Sequence, residues 1–97
     1  MEETTFNIVL NIKTADGFES YGKFFLGNDR DAAYAVFEKL IGSSEVTEKS
    51  VLTLELMEIS HGLPVNVQLI NCTLEQLAEN CKIITKETFK LVNLKEF

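Results

Sequence analysis

Histidine and proline each occur once in the chain, and cysteine twice. With His61 the only imidazole, a Ser/His/Asp or Cys/His catalytic arrangement would have to use a residue expected at a hairpin tip. Water is not excluded there, and a general base needs a positioned, partly desolvated site. The lone proline and the lack of any Pro/Gly/Ser-rich run argue against a linker or a disordered tail. Cys72 and Cys81 do not form a CxxC pair, which disfavours zinc and thioredoxin-like readings. If a helix starts near Thr73, its rise separates the two cysteines by about 12 Å, too far for a bridge within the chain. Both are expected to be buried structural thiols. Gly17, Gly22, Gly27, Gly42 and Gly62 compose no GxGxxG or Walker-type run, so no phosphate cradle is indicated.

Basic stripes and long apolar runs are missing as well. The formal charge is −6. Residues 1–48 carry four basic and nine acidic side chains, and residues 49–97 carry five and six. Lys82, Lys86, Lys90 and Lys95 make the tail mildly basic, but Glu87 and Glu96 interrupt them. Without a contiguous positive stripe to displace phosphate counterions, nucleic acid is not an expected partner. No stretch of about 18 apolar residues is present to span a bilayer. Met1-Glu2-Glu3-Thr4 has neither the basic start nor the apolar run of a secretory signal. A cytoplasmic protein with no membrane partner is expected.

Period-two patterns make up much of what remains. Phe6, Ile8, Leu10 and Ile12 alternate with Asn7, Val9, Asn11 and Lys13, as in a half-buried strand. Thr14 to Phe18 reads as a hairpin turn with Gly17 as a left-handed bulge residue closing a three-residue loop. That register pairs Ile8 with Phe24, Phe6 with Leu26, and Lys13 with Glu19. Leu52, Leu54 and Leu56 mark a third strand. A two-residue His61-Gly62 turn then pairs Leu56 with Val67 and Leu54 with Leu69, with Pro64 suited to an edge strand. Thr88 to Leu94 alternates enough to predict a short fifth strand.

Two helices separate these patterns. Asp29 is the expected N-cap of the first, whose stripe is Ala33, Val36, Phe37, Leu40 and Ile41, with Gly42 as the closing C-cap. Thr73 and Gln76 have capping-box spacing, and Leu74, Leu77, Ala78 and Cys81, continuing to Ile84, form the second stripe. The fold class is therefore α+β: two ββα units forming one antiparallel sheet of four to five strands, with two helices packed on one face. The chain is read as a single domain over residues 1–97. It holds a pseudo-repeat, 5–42 and 50–84, at an offset of 44, and a C-terminal strand over 88–94. A pseudo-twofold arrangement gives the strand order 2-1-3-4, with a parallel crossover between the second and third strands as the alternative.

No catalytic, cofactor-binding or metal-ligating residue is assigned. Glu55 and Glu58 fall on opposite strand faces, so with His61 they do not share an ion. Gly22, inside a strand, marks a bulge or a close approach, with packing the expected use. If helices cover the inner face, Val9, Tyr21, Phe25, Met57, Ile59 and Ile70 point outward among Asn7, Asn11, Lys13, Glu19, Lys23, Glu55, Asn66 and Gln68. Aromatic residues and methionine are enriched in interface cores. Tyr21, Phe25, Met57, Ile59 and Ile70 are thus the candidate interface of a non-enzymatic interaction module, a homodimer or the binder of a protein partner. The alternative is a small-ligand-binding domain with a pocket between helices and sheet near Gly22 and Tyr34. An enzyme using Cys72 or His61 ranks third.

Overall fold

The computed structural model describes residues 4–45, 47 and 49–93. The elements run β1 (Thr5–Thr14), β2 (Gly17–Gly27), α1 (Arg30–Glu38), β3 (Leu52–Ser60), β4 (Leu63–Cys72) and α2 (Leu74–Asn93). The four strands form one antiparallel sheet in the order β2-β1-β3-β4, the order expected from the repeat pattern. Ile8, Leu54 and Leu56 are wholly buried and join Val36 and Phe37 of α1 and Ile84 of α2 in one core. Each such side chain contributes about 1.5–3 kcal/mol of hydrophobic free energy when fully buried.

Both helix starts follow the local chemistry. Ala32 N–H donates to Asp29 Oδ1 at 3.2 Å. Thr73 and Gln76 cap each other: Thr73 N–H donates to Gln76 Oε1 at 2.9 Å, and Gln76 N–H to Thr73 Oγ1 at 3.1 Å. Each pair satisfies donors that the first helical turn leaves open.

The helix ends differ from expectation. α1 stops at Glu38, and Leu40 and Ile41 lie beyond it. Three-residue bonds from Lys39 N–H to Val36 O and from Leu40 N–H to Phe37 O, both 3.1 Å, tighten the last turn. The backbone of Ile41 is then taken by Asn80 of α2: Ile41 N–H donates to Oδ1 at 2.7 Å, and Nδ2 donates to Ile41 O at 2.8 Å. Gly42 is not a C-cap, since α1 ends on Lys39 in the right-handed region. Its role is close approach: a Cβ there would lie 2.6 Å from Asn71 O and 3.1 Å from Ile70 Cδ1. Bare of a side chain, it lets Ser43 bridge Asn71 through bonds of 2.9 and 2.8 Å along the β4 edge.

α2 also overturns the fifth strand. It continues without a break to Asn93, through 88–93 of the expected strand, while Leu94 lies outside the described residues. Ile84 and Leu91, in core contact, are seven residues apart, which is two helical turns. Once a helix has nucleated, each further residue adds a hydrogen bond cheaply, whereas a new strand needs an edge to pair with. The buried stripe is shifted too: Leu77, Ile84 and Leu91 pack inward and Asn80 is 0% exposed, while Leu74 is 70% exposed.

Turn geometry and bulges set the sheet register. β1 and β2 pair Thr14 with Gly17, Lys13 with Phe18 and Ile12 with Glu19, so Lys13 does not face Glu19. The turn is thus the two residues Ala15-Asp16, not the expected three-residue loop, although Gly17 has the expected positive φ, 111°. A register shift at Tyr21 then restores the Ile8–Phe24 pairing, and a second at Leu26 puts Phe6 opposite Gly27 instead of Leu26. Gly22 therefore adjoins a bulge and is not closely packed: a Cβ there would meet only Leu10, at 3.8 Å. The β3–β4 hairpin has the two-residue His61-Gly62 turn, both residues at positive φ. A bulge at Val67 changes the pairing beyond it, so Leu56 faces Gln68 and Leu54 faces Ile70.

Candidate functional site

Residues paired across an antiparallel sheet share a face. Three rows therefore cross the sheet opposite the core. They read Phe25–Asn7–Met57–Asn66, Lys23–Val9–Glu55–Leu69 and Ser20–Asn11–Thr53–Asn71, from β2 to β4. Ile59, paired with Thr5 and Pro64, lies beyond the first row. Phe25 is 60% exposed; Val9, Met57 and Ile59 are half-buried. Asn7 is only 5% exposed, between Phe25 and Met57 in its row. A depression of about 270 Å³ opens here, lined by Asn7, Val9, Lys23, Met57, Ile59 and Pro64 among others.

Two of the five candidate interface residues are placed differently from expectation. The Val67 bulge turns Ile70 to the inner face, where it packs in the core at 8% exposure. A one-residue slip exchanges the two faces of a strand, which is what happened to β4 beyond the bulge. Tyr21 is the unmatched residue of the β2 bulge and is 60% exposed at the sheet edge, outside the paired rows. Phe25, Met57 and Ile59 stay on the outer face. Glu19 pairs with Ile12 and Gln68 with Leu56, so both belong to inner-face rows instead of the outer set.

Glu55 is held from both sides on the outer face. Its carboxylate accepts from Asn11 Nδ2 at 3.2 Å and from Asn66 Nδ2 on the other side. Glu58 is on the opposite face and pairs with Arg30 at 2.9 Å; the Arg30 guanidinium stands 5.5 Å over the Phe6 ring. Proximity to Glu58 raises the Arg30 pKa further, through a hydrogen bond and charge attraction. The two glutamates are thus engaged separately. His61, at φ 54° in its turn, is exposed. Among the described residues no group of three His, Cys, Asp or Glu side chains is placed to hold a metal ion.

Cys72 is buried and Cys81 half-buried, and both are free thiols. Burial pushes the Cys72 thiol up, with the neighbouring Cys81 charge adding to this and a hydrogen bond from Asn80 opposing it. A raised thiol is the reverse of an activated nucleophile.

A groove of about 500 Å³ separates the β2 edge from α2. It is lined by Lys23, Phe24, Phe25, Ile84, Thr88 and Phe89, with Thr85 at its side, and neither Gly22 nor Tyr34 lines it. Thr88 Oγ1 is buried without a hydrogen-bond partner among the described residues. Among those residues no helix is long and apolar enough to cross a membrane. No family model, no curated protein and no solved structure matches the chain.

Proposed function

We propose that the protein is a non-enzymatic interaction module that self-associates through the sheet face opposite the core. It is read as one domain of two ββα units, with both helices on the inner face, and as a cytoplasmic protein. The observation that carries the proposal is the row Phe25–Asn7–Met57 with Val9 beside it: an aromatic residue on the edge strand β2, and a methionine and an aliphatic residue on the two central strands of that face. Large apolar patches on a folded surface mark association sites more often than chance, and aromatic and methionine side chains concentrate in interface cores. Sedimentation equilibrium of the wild type and of Phe25→Glu and Met57→Glu variants tests the proposal. A concentration-dependent dimer that both charges abolish is expected. A wild type that stays monomeric up to about 500 μM, well above the μM-to-pM range of standard-size protein interfaces, would sink it.

A second reading, a small-ligand binder, draws on the groove between β2 and α2. The groove is apolar apart from Lys23 and two threonines, and it includes the Thr88 hydroxyl, which has no hydrogen-bond partner among the described residues. Pockets of this composition orient a ligand by a few polar groups. A metabolite that raises the melting temperature of the wild type but not of Thr88→Val would favour it.

A further inference from the structure

On the outer face, opposite charges flank a central apolar residue within one row. Lys23 of β2 and Glu55 of β3 both pair with Val9 of β1, one on each side. Neighbouring strands lie about 4.8 Å apart, so both charges sit about that far from the β1 line. Lys23 is exposed, and Glu55 is held by Asn11 and Asn66. The next row is built alike, with exposed Phe25 on the β2 side of Asn7 and Met57 on the β3 side.

Two copies stacked face to face can be related by a twofold axis running along the strands or across them, and the charges distinguish the two. An axis along β1 exchanges left and right while keeping each row at its own level. Lys23 then faces Glu55 of the second copy, Glu55 faces its Lys23, Phe25 faces Met57 and Val9 faces Val9. An axis across the strands at the Val9 row keeps each strand over itself. Lys23 would then face Lys23 and Glu55 face Glu55, and like charges at close range oppose association. Shifting the lengthwise axis midway between β1 and β3 puts Val9 over Glu55 and leaves Lys23 over Leu69, burying both charges unpaired.

Resting on the self-association proposed above, we infer that the partner is a second copy of this chain, related by a twofold axis along β1 and keyed by reciprocal Lys23–Glu55 ion pairs. The arrangement is an isologous sandwich of two sheets. Sheets packed this way cross at about 30°, which displaces a group 4.8 Å from the axis by roughly 2.5 Å. The flexible Lys23 side chain spans that displacement. The ion pairs set the orientation, because their burial roughly cancels their attraction, while Phe25, Met57 and Val9 supply the affinity. With the axis on β1, strands β2, β1 and β3 of each copy overlap, and over nine residues they present about 430 Å² per copy. That is at the low end for a specific interface, so a reversible dimer is expected.

A charge-swap cycle on the full chain tests the axis. Sedimentation equilibrium is run on the wild type, Lys23→Glu, Glu55→Lys and the double variant, with circular dichroism confirming the fold of each. Each single variant is expected to weaken the dimer at least about tenfold, and the double variant to return it to within about threefold of wild type. If the wild type dimerises, Phe25→Glu abolishes the dimer, and the double variant is as weak as the singles, the face is right and the axis is wrong. If the wild type does not dimerise, the self-association reading fails and the axis with it. Should Glu55→Lys lose its fold, the same cycle is made with Lys23→Gln and Glu55→Gln. Less-than-additive losses in the pair are then expected, and strictly additive losses overturn the pairing.

Discussion

Asn80 offers the sharpest test of how the chain is held together. Its side chain is 0% exposed and makes two short bonds to the Ile41 backbone, tying α2 to the segment that leaves α1. In Asn80→Ala both bonds are lost, at a net cost of about 1 kcal/mol each. The vacated space adds roughly another 1 kcal/mol, since a packed core closes a cavity only in part. The sum is about 3 kcal/mol, a large share of the 5–15 kcal/mol that stabilises a typical domain. For a chain of this length it corresponds to a fall in melting temperature of about 12–24 °C. Asn80→Asp should be worse at neutral pH, because it buries a charge and points an acceptor at Ile41 O. Burial raises the pKa of such a carboxyl, so the variant should regain stability as pH falls and the protonated acid can again donate. Urea unfolding at low protein concentration, where self-association does not contribute, measures both variants. An Asn80→Ala midpoint shift worth less than about 0.5 kcal/mol, the ordinary range for a surface change, would refute the idea that this amide is a principal tie.

Two glycines in unlike surroundings should respond oppositely to alanine. Gly42→Ala puts a methyl group 2.6 Å from Asn71 O and should destabilise by about 1–3 kcal/mol as the Ser43–Asn71 bridge gives way. Gly22→Ala meets only Leu10 at 3.8 Å and should be neutral or stabilise by up to about 1 kcal/mol, read from thermal melts; the reverse ranking would contradict the geometry. Buried Cys72 should react with a thiol reagent at least about 100-fold more slowly in the native than in the unfolded protein at neutral pH. Because its thiol is raised in the folded state, its stabilising contribution is complete below the unfolded thiol value of about 8.5 and is lost as pH rises through the folded one. Urea midpoints at about pH 7 and 9.5 should show a loss that Cys72→Ala reduces; an unchanged slope in that variant would remove Cys72 as its source.

Much of the architecture is legible in the sequence. Alternation at Phe6–Ile12 and Leu52–Leu56 marked the central strands, and Asp29 and the Thr73/Gln76 pair marked the helix starts. The outer face is legible in part: alternation puts Phe25, Met57 and Ile59 on it, whereas Tyr21 sits in the β2 bulge outside the paired rows and Ile70 turns inward. No periodicity argument selects Asn80, because asparagine scores as a surface residue. Its spacing from Leu77 and Ile84 was the available signal, one position off the stripe through Cys81.

Strands, turns and caps are short-range chemistry. A hydroxyl or carboxylate reaches an open amide two or three residues away, and side-chain alternation follows from the pleat, so the chain states these features locally. The bulges at Tyr21, Leu26 and Val67, the early end of α1 and the inward turn of Ile70 depend on groups far away in the chain. A register shift leaves the local pattern almost unchanged, so the choice falls to whichever pairing fills the core across the sheet. Ile41 leaves α1 where Asn80, 39 residues on, takes up its backbone. The candidate surface combines both kinds of information. Its residue types are written in the strands, but bringing Lys23, Val9 and Glu55 into one row required the pairing of three strands.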